Sequence, residues 1–229
     1  MIPTDKVVVS IGGSILIPGN NDSEYITKLA EMLKAVCNEA QIAIVVGGGK
    51  TARYYAETGR ALGGNEYQLD ILGIGATRLN AQLLSLALGD MPDRVSEDPR
   101  DLALRSSPGK IVVMGGTVPG HTTDAVAAMV AEAMGADRIV NATSVDAVYT
   151  DDPRKNPDAV KILGMTIDEL GDIVYKEHGA SKSSVFDPLG IKIAKENKID
   201  IMIVDGRNIN ELRNAILGKK INGTIVDSH

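Results

Sequence analysis

A single α/β domain, a three-layer α/β/α sandwich around a mainly parallel central sheet, is the fold that this sequence predicts. Three observations predict it. Short β-branched runs alternate with segments of helical period along the 229 residues. The runs are nearly all apolar, as expected of strands covered on both faces. Three of them pass into glycine clusters, where a parallel strand would hand over to a helix.

The strands are read at Lys6 to Ile11, Ile42 to Val46, Lys110 to Met114, Arg138 to Asn141 and Asp200 to Val204. In the first helical segment Ile26, Leu29, Leu33, Val36 and Cys37 recur at helical spacing, and in the third major one Val126, Met129, Val130 and Met134 do so. Thr166 with Glu169, and Asn208 with Glu211, have the cap-x-x-Glu spacing that satisfies free amides at a helix start. Residues 91 to 109, rich in Asp, Pro, Ser and Arg, mark a boundary between lobes, 1–105 and 106–229, within one domain. Thr150 to Asp158 and Glu177 to Ser184 read as surface loops. There is no internal repeat.

Composition excludes several classes. Apolar residues at 44% and charged residues at 24% are globular values, which sets aside disorder and coiled coil. A net charge of −6, with no basic stripe, argues against a nucleic-acid partner and for a small ligand. Cys37 alone cannot form an intramolecular disulfide and reads as a buried small hydrophobe. No run approaches the ~20 consecutive apolar residues of a membrane span. Pro3, Thr4 and Asp5 lead straight into a strand with no signal-peptide pattern, so a cytoplasmic location is expected.

Strand one runs into Gly12-Gly13-Ser14, strand two into Gly47-Gly48-Gly49 and strand three into Gly115-Gly116-Thr117. Glycine at such strand ends lets backbone N–H groups approach a phosphate, and the following helix adds its positive end. Three loops on one rim suit a ligand set with many phosphates. Gly49-Lys50-Thr51 matches only the end of a Walker A motif, because Ile44 stands within a strand where its first glycine belongs. Gly73-Ile74-Gly75 lies inside a helical pattern with Arg78 in place of a third glycine, so close helix packing is expected there in preference to a dinucleotide site.

Between strand three and the next helix lie Pro119, His121, Thr122, Thr123 and Asp124. Threonine hydroxyls and free amides at a helix start can hold a phosphate, and Asp124 can orient a lysine or take part in metal binding. An ordinary N-cap, Thr122 or Thr123 with Asp124 on the dipole, is the bland alternative. His121 reads as a loop residue, since transfer to a phosphate oxygen requires no base.

These motifs, with Ile-Gly-Gly-Ser (11 to 14), Val-Val-Gly-Gly-Gly-Lys and Ala52-Arg53 (45 to 53), the run from Gly115 to Asp124, Ala-Thr-Ser-Val-Asp-Ala-Val-Tyr-Thr-Asp-Asp-Pro (142 to 153) and Asp-Pro-Leu (187 to 189), resemble the amino-acid-kinase family, most closely its archaeal-type UMP kinases. They occur in family order over most of the chain. The resemblance implies transfer of a phosphoryl group from ATP to UMP by direct in-line displacement, with Mg²⁺, toward pyrimidine nucleotides. It implies an acceptor lobe over 1–105 and an ATP lobe over 106–229, and a homo-hexamer built as a trimer of dimers.

By the same resemblance Gly12, Gly13, Ser14, Gly49, Arg53, Thr143, Tyr149 and Asp152 hold ATP. UMP falls to Gly48, Asp70 and the run Val118, Pro119, Gly120, His121, Thr122, Thr123 and Asp124, with Asp70 on the ribose. One departure bears on catalysis: many members carry a lysine two residues before the first glycine pair, and here that position is Ser10. Lys50, Arg53, Lys182 and Lys192 are candidates to supply the charge. Mg²⁺ plus Lys50 or Arg53 is the preferred set, and Asp124 completes the catalytic candidates; no metal ligands are assigned. Ala147 stands where a glycine is common. A kinase for another small phosphate such as isopentenyl phosphate, or a non-catalytic oxyanion-storage protein, are the competing readings; Asp70 weighs against the first.

Overall fold

The computed structural model describes residues 5–20, 22–153, 155–177 and 185–229. In chain order the elements are β1 (Asp5–Ile11), α1 (Gly13–Leu16), α2 (Asp22–Val36), β2 (Ala40–Val46), α3 (Gly49–Ala61), α4 (Glu66–Leu88), α5 (Pro99–Arg105), β3 (Val112–Met114), α6 (Thr123–Met134) and β4 (Arg138–Thr143). There follow β5 (Val148–Tyr149), β6 (Lys161–Ile162), β7 (Gly164–Thr166), α7 (Ile167–Glu177), α8 (Pro188–Asn197), β8 (Asp200–Asp205), α9 (Ile209–Ile216) and β9 (Thr224–Asp227).

The main sheet runs β3-β2-β1-β4-β8-β9-β7. From β3 to β8 all neighbours are parallel; β9 runs antiparallel to β8, and β7 parallel to β9. Side chains alternate across it as a strand period of two requires. Val7, Val9 and Ile11 with Ile42, Ile44 and Val46 face one core under α2, α4 and α9, while Val8, Ala43 and Val45 face the other under α5, α6, α7 and α8. Both faces are therefore covered, which is why the strands read as continuous apolar runs. Truncating a fully buried anchor such as Leu33 to Ala would cost about 2–5 kcal/mol.

The expected strands are present with shifted ends, the third shortened to three residues because Ser107 and Lys110 bridge to each other before it. Residues 91 to 109 are not bare loop: Asp98 caps α5, its side chain accepting from the Arg100 N–H at 2.8 Å. Thr166 and Glu169 form the reciprocal cap, but Glu211 leaves Asn208 to cap alone and binds Asn222 instead. Cys37 falls just past α2 and is half-buried. The loop expected at Glu177 to Ser184 lies, from 178 on, outside the described residues.

Arg138 shows what a structural cation looks like. Its side chain, 10% exposed, pairs with Asp5 at 2.7 Å and donates to the carbonyls of Ala215 and Ile216, at the opposite end of β4 from the glycine loops.

Candidate active site

The strand order puts the switch of direction at β1, with β2 and β3 on one side and β4 and β8 on the other. A crevice opens beyond the carboxyl ends of strands at such a point. The three glycine loops leave β1, β2 and β3, parallel neighbours, and so share one rim. The first two touch backbone to backbone: a Cβ on Gly13 would lie 2.2 Å from the Gly49 nitrogen and 2.4 Å from the Gly47 oxygen. Gly49, at φ +58°, also takes a conformation that favours glycine. No larger residue could let these loops approach as they do. Gly12 in turn donates to the Ala142 carbonyl at 3.0 Å, which ties the first loop to the end of β4.

A cavity of about 360 Å³ lies between α3, α4 and the loop after β3. Asp70, Val118, Pro119, Gly120, His121, Thr122 and Thr123, all expected on the acceptor side, line it together with Arg53. The Asp70 carboxylate accepts the Gly120 N–H at 2.9 Å, joining α4 to the loop. Thr122 is the N-cap of α6, accepting from the Ala125 N–H, and its hydroxyl donates to Asp187 at 2.8 Å. Gly48 stands at the start of α3, where a Cβ would press on Ala52. Gly73 and Gly75 do not serve close packing within the chain, because a Cβ at either would meet nothing within 4 Å; Gly73 lines the cavity and Gly75 faces outward.

On the other side of the rim Thr143 ends β4, its carbonyl accepting from Gly206 at the end of β8. Tyr149 sits half-buried in the small β5–β6 hairpin, and its hydroxyl donates to Asp146 at 3.0 Å. Lys161 pairs with the other Asp146 oxygen at 2.7 Å. The Tyr149–Asp146 hydrogen bond, with burial, holds the Tyr149 hydroxyl above its ordinary pKa. Asp152 lies in the loop beyond, 3.8 Å from the Lys155 ammonium.

The candidate cations separate. Arg53 reaches from α3 to the Ser14 hydroxyl at 2.9 Å while lining the cavity, so it touches both sides of the rim. The Lys50 ammonium donates to the Pro18 carbonyl beyond the first loop. Lys192, on α8, faces Glu196 at 3.9 Å with its side chain 66% exposed. Lys182 lies outside the described residues. Ser10, buried where a lysine is common, donates to Asp124 Oδ1 at 2.8 Å. Burial, with Asp187 nearby, raises the Asp124 carboxyl to a pKa of about 6, and the Ser10 hydrogen bond only partly offsets this.

The general description of the amino acid kinase family matches residues 5–205. The chain belongs to that family. Among relatives of known name, a uridylate kinase of Pyrococcus abyssi is 46% identical over 97% of this chain and 99% of its own length, and one of Methanocaldococcus jannaschii is 45% identical over the same shares. The crystal structure of uridylate kinase from Archaeoglobus fulgidus superposes with a TM-score of 0.85 at 39% identity, over 96% of this chain and 99% of that one. A UMP kinase from Bacillus anthracis, at 19% identity and TM-score 0.80, shares the fold.

Within this family member, the sequence motifs located the loops but not what holds them. Thr77, Arg78 and Asn80 grip the second and third loops from α4, and Asp146, Lys161 and Asp187 anchor groups already singled out. Thr77, Arg78, Asn80 and Lys161 stand in none of the motifs, so spacing gave no signal for them, whereas Asp146 and Asp187 lie inside the 142–153 and 187–189 motifs, which gave them no role. The polar residues at 77, 78 and 80 within an otherwise apolar helix were the available clue.

Proposed function

We propose that this family member transfers the γ-phosphoryl group of ATP to UMP, giving UDP and ADP. The observation that carries the reading is the cavity that Asp70 of α4 and the Gly116–Thr123 loop line together, joined by the Asp70–Gly120 hydrogen bond. A carboxylate offers several acceptor sites, so Asp70 can hold ribose hydroxyls while keeping the Gly120 amide. The loop amides and the start of α6 suit the phosphate.

In the transfer, an oxygen of the UMP phosphate attacks the γ-phosphorus and the bond to the β,γ-bridging oxygen breaks, leaving ADP. The attacking oxygen is already ionised, so no base is needed. Catalysis then rests on alignment and charge neutralisation. Arg53 is placed for the second, between Ser14 of the donor loop and the acceptor cavity; Lys50, turned to Pro18, is given the lesser share. Asp124, through Ser10, ties the end of β1 to the start of α6 and fixes the loops relative to each other. Gly12, Gly13, Gly49, Thr143, Tyr149 and Asp152 are assigned to ATP, and Gly48 with 118–124 to UMP. The acceptor lobe of residues 1–105 is completed by β3 and its loop, which lie beside β2.

Mg²⁺ is assigned to the nucleotide. Such an ion would take most of its ligands from phosphate and water. When bound it supplies charge neutralisation on the ATP phosphates.

We assign the enzyme to the cytoplasm and to pyrimidine nucleotide synthesis, as a homo-hexamer built as a trimer of dimers. Support for assembly comes from α4. Its outer face exposes Tyr67, Ile71, Leu79, Leu83 and Leu86 at helical spacing around Gly75, a stripe suited to a second copy. Composition and length alone would let α4 cross a bilayer, but its Asp70, Thr77, Arg78 and Asn80 are bonded within the domain.

ADP formation measured with UMP, CMP, AMP, GMP and isopentenyl phosphate tests the proposal. UMP is expected to be the preferred acceptor; the same ADP release with acceptor omitted would reject it. Arg60, Glu66 and Asp70 at the cavity wall weigh against a prenyl chain, and the assay decides because Leu69, Ile74 and Val118 line it too.

A further inference from the structure

Helix α4 grips two of the three glycine loops with side chains from a single turn. Thr77 Oγ1 accepts the Gly116 N–H at 2.6 Å and donates to the Ile74 carbonyl at 2.6 Å. Arg78 donates from Nε to the Gly116 carbonyl at 3.2 Å and from Nη2 to the Thr117 carbonyl at 2.9 Å. Its remaining nitrogen, Nη1, meets Glu97 at 2.9 Å, and Glu97 is also held by Arg94 at 2.6 Å. Asn80, buried, donates from Nδ2 to the Gly47 carbonyl at 2.9 Å and lies 3.4 Å from that of Gly48.

These contacts set direction as well as distance. A peptide is planar and trans, so each N–H points opposite to the carbonyl of the residue before it. With the carbonyls of Gly116 and Thr117 drawn onto Arg78, the amides of Thr117 and Val118 are turned away from the guanidinium. With that of Gly47 drawn onto Asn80, the amide of Gly48 is turned away from α4. The loop is also laid directly on the helix: a Cβ at Gly115 would lie 2.6 Å from Thr77 Oγ1 and 2.7 Å from the Arg78 nitrogen. The guanidinium is paired with Glu97 and turned onto two carbonyls, so its contribution here is the fork of donors.

We propose that Arg78, oriented by Glu97, is a positioning residue for the acceptor: it turns the backbone amides of Thr117 and Val118, in the loop after β3, toward the acceptor phosphate, while Asn80 fixes the second loop at a set distance on the same helix turn. The proposal rests on the Gly116–Thr123 loop being the acceptor site, as proposed above. It makes α4 a ruler between two loops, with Asp70 two turns earlier on the same helix measuring to the far end of the acceptor.

The test is steady-state kinetics with UMP and ATP varied separately, on Arg78→Met, Arg78→Lys and Glu97→Gln, with thermal unfolding of each. Arg78→Met is expected to raise KM for UMP about tenfold, as for loss of charge-assisted hydrogen bonds, with KM for ATP within about twofold. Arg78→Lys keeps the charge but cannot reach two carbonyls and a carboxylate at once, so it should rescue little. Glu97→Gln should move KM for UMP in the same direction by a few-fold, and it decides the matter if Arg78→Met does not fold. Equal changes in both KM values, an unchanged KM for UMP, or full rescue by lysine would overturn the proposal. Asp70→Asn measured alongside separates the causes. If it raises KM for UMP and the Arg78 variants do not, the positioning role fails and the site assignment stands; if none of them moves it, both fail.

Discussion

Asp70 reaches Gly120 across 50 positions of chain and Arg78 reaches Thr117 across 39, whereas Tyr149 finds Asp146 three residues away. The acceptor side of the rim is thus held by tertiary contacts from one long helix, whereas Tyr149 on the donor side is braced within its own hairpin, which Thr224 pins to the sheet through the Val148 N–H and the Ile162 carbonyl. The first depends on α4 keeping its seat on the sheet. At Tyr149 the partners are local, Asp146 and Lys161, and they can be loosened while Val148 and Thr224 keep the hairpin seated on the core. Substitutions should therefore divide into those that alter UMP handling, those that alter ATP handling, and one that alters both.

The one that alters both is Arg53, which touches Ser14 and the acceptor cavity together. Arg53→Ala is expected to lower kcat about a hundredfold, the size of a lost transition-state charge contact, with Lys50→Ala well below that. Single-turnover rates at saturating substrates check it; an Arg53→Ala enzyme within about threefold of the parent would end the assignment. Next in size is Asp70→Asn, expected to raise KM for UMP about 10- to 50-fold with little change for ATP, as for a hydrogen bond to an ionised group. Smaller again is Asp146→Asn, which frees Tyr149 and leaves Lys161 without its partner. KM for ATP should rise a few-fold and KM for UMP stay put. If Asp146→Asn moved the UMP value instead, the division of the rim into two sides would be wrong.

The same contrast explains what could be read from sequence. Apolar runs that end in glycine announce parallel strands and their loops, because strand period and glycine backbone freedom are local properties. The helix start at Thr122 was open between two threonines, and geometry chose the first. The last two strands of the sheet order, β9 and β7, and the hairpin β5–β6 were not legible: they are two to four residues long, too short for a period to declare itself. The grip of Thr77, Arg78 and Asn80 on the loops could not be read either. It arises from the approach of elements some 30 to 40 residues apart, which no local pattern encodes. Ser10 could be seen to replace a lysine, but its hydrogen bond to Asp124, 114 positions away, belongs to the fold.

That bond gives the smallest effect and the one most directly tied to a single group. The Asp124 carboxyl has its pKa raised from an ordinary 3.8 to about 6, mainly by burial, with Asp187 adding to it. In the unfolded chain the group ionises near its ordinary value. Between the two values the folded protein therefore holds more protons than the unfolded one, and stability falls as pH rises. The contribution is greatest below the unfolded pKa, declines as pH climbs toward about 6, and levels off above it. Asp124→Asn stays neutral throughout and can still accept from the Ser10 hydroxyl. Its stability relative to the parent should thus increase by about 1 kcal/mol between pH 5 and pH 7.5, or roughly 2–4 °C in Tm for a domain of this size. Thermal unfolding of both proteins at the two pH values measures the difference directly. Parallel curves would mean that Asp124 ionises near its ordinary pKa, and that the junction between β1 and α6 is wetter than its packing indicates.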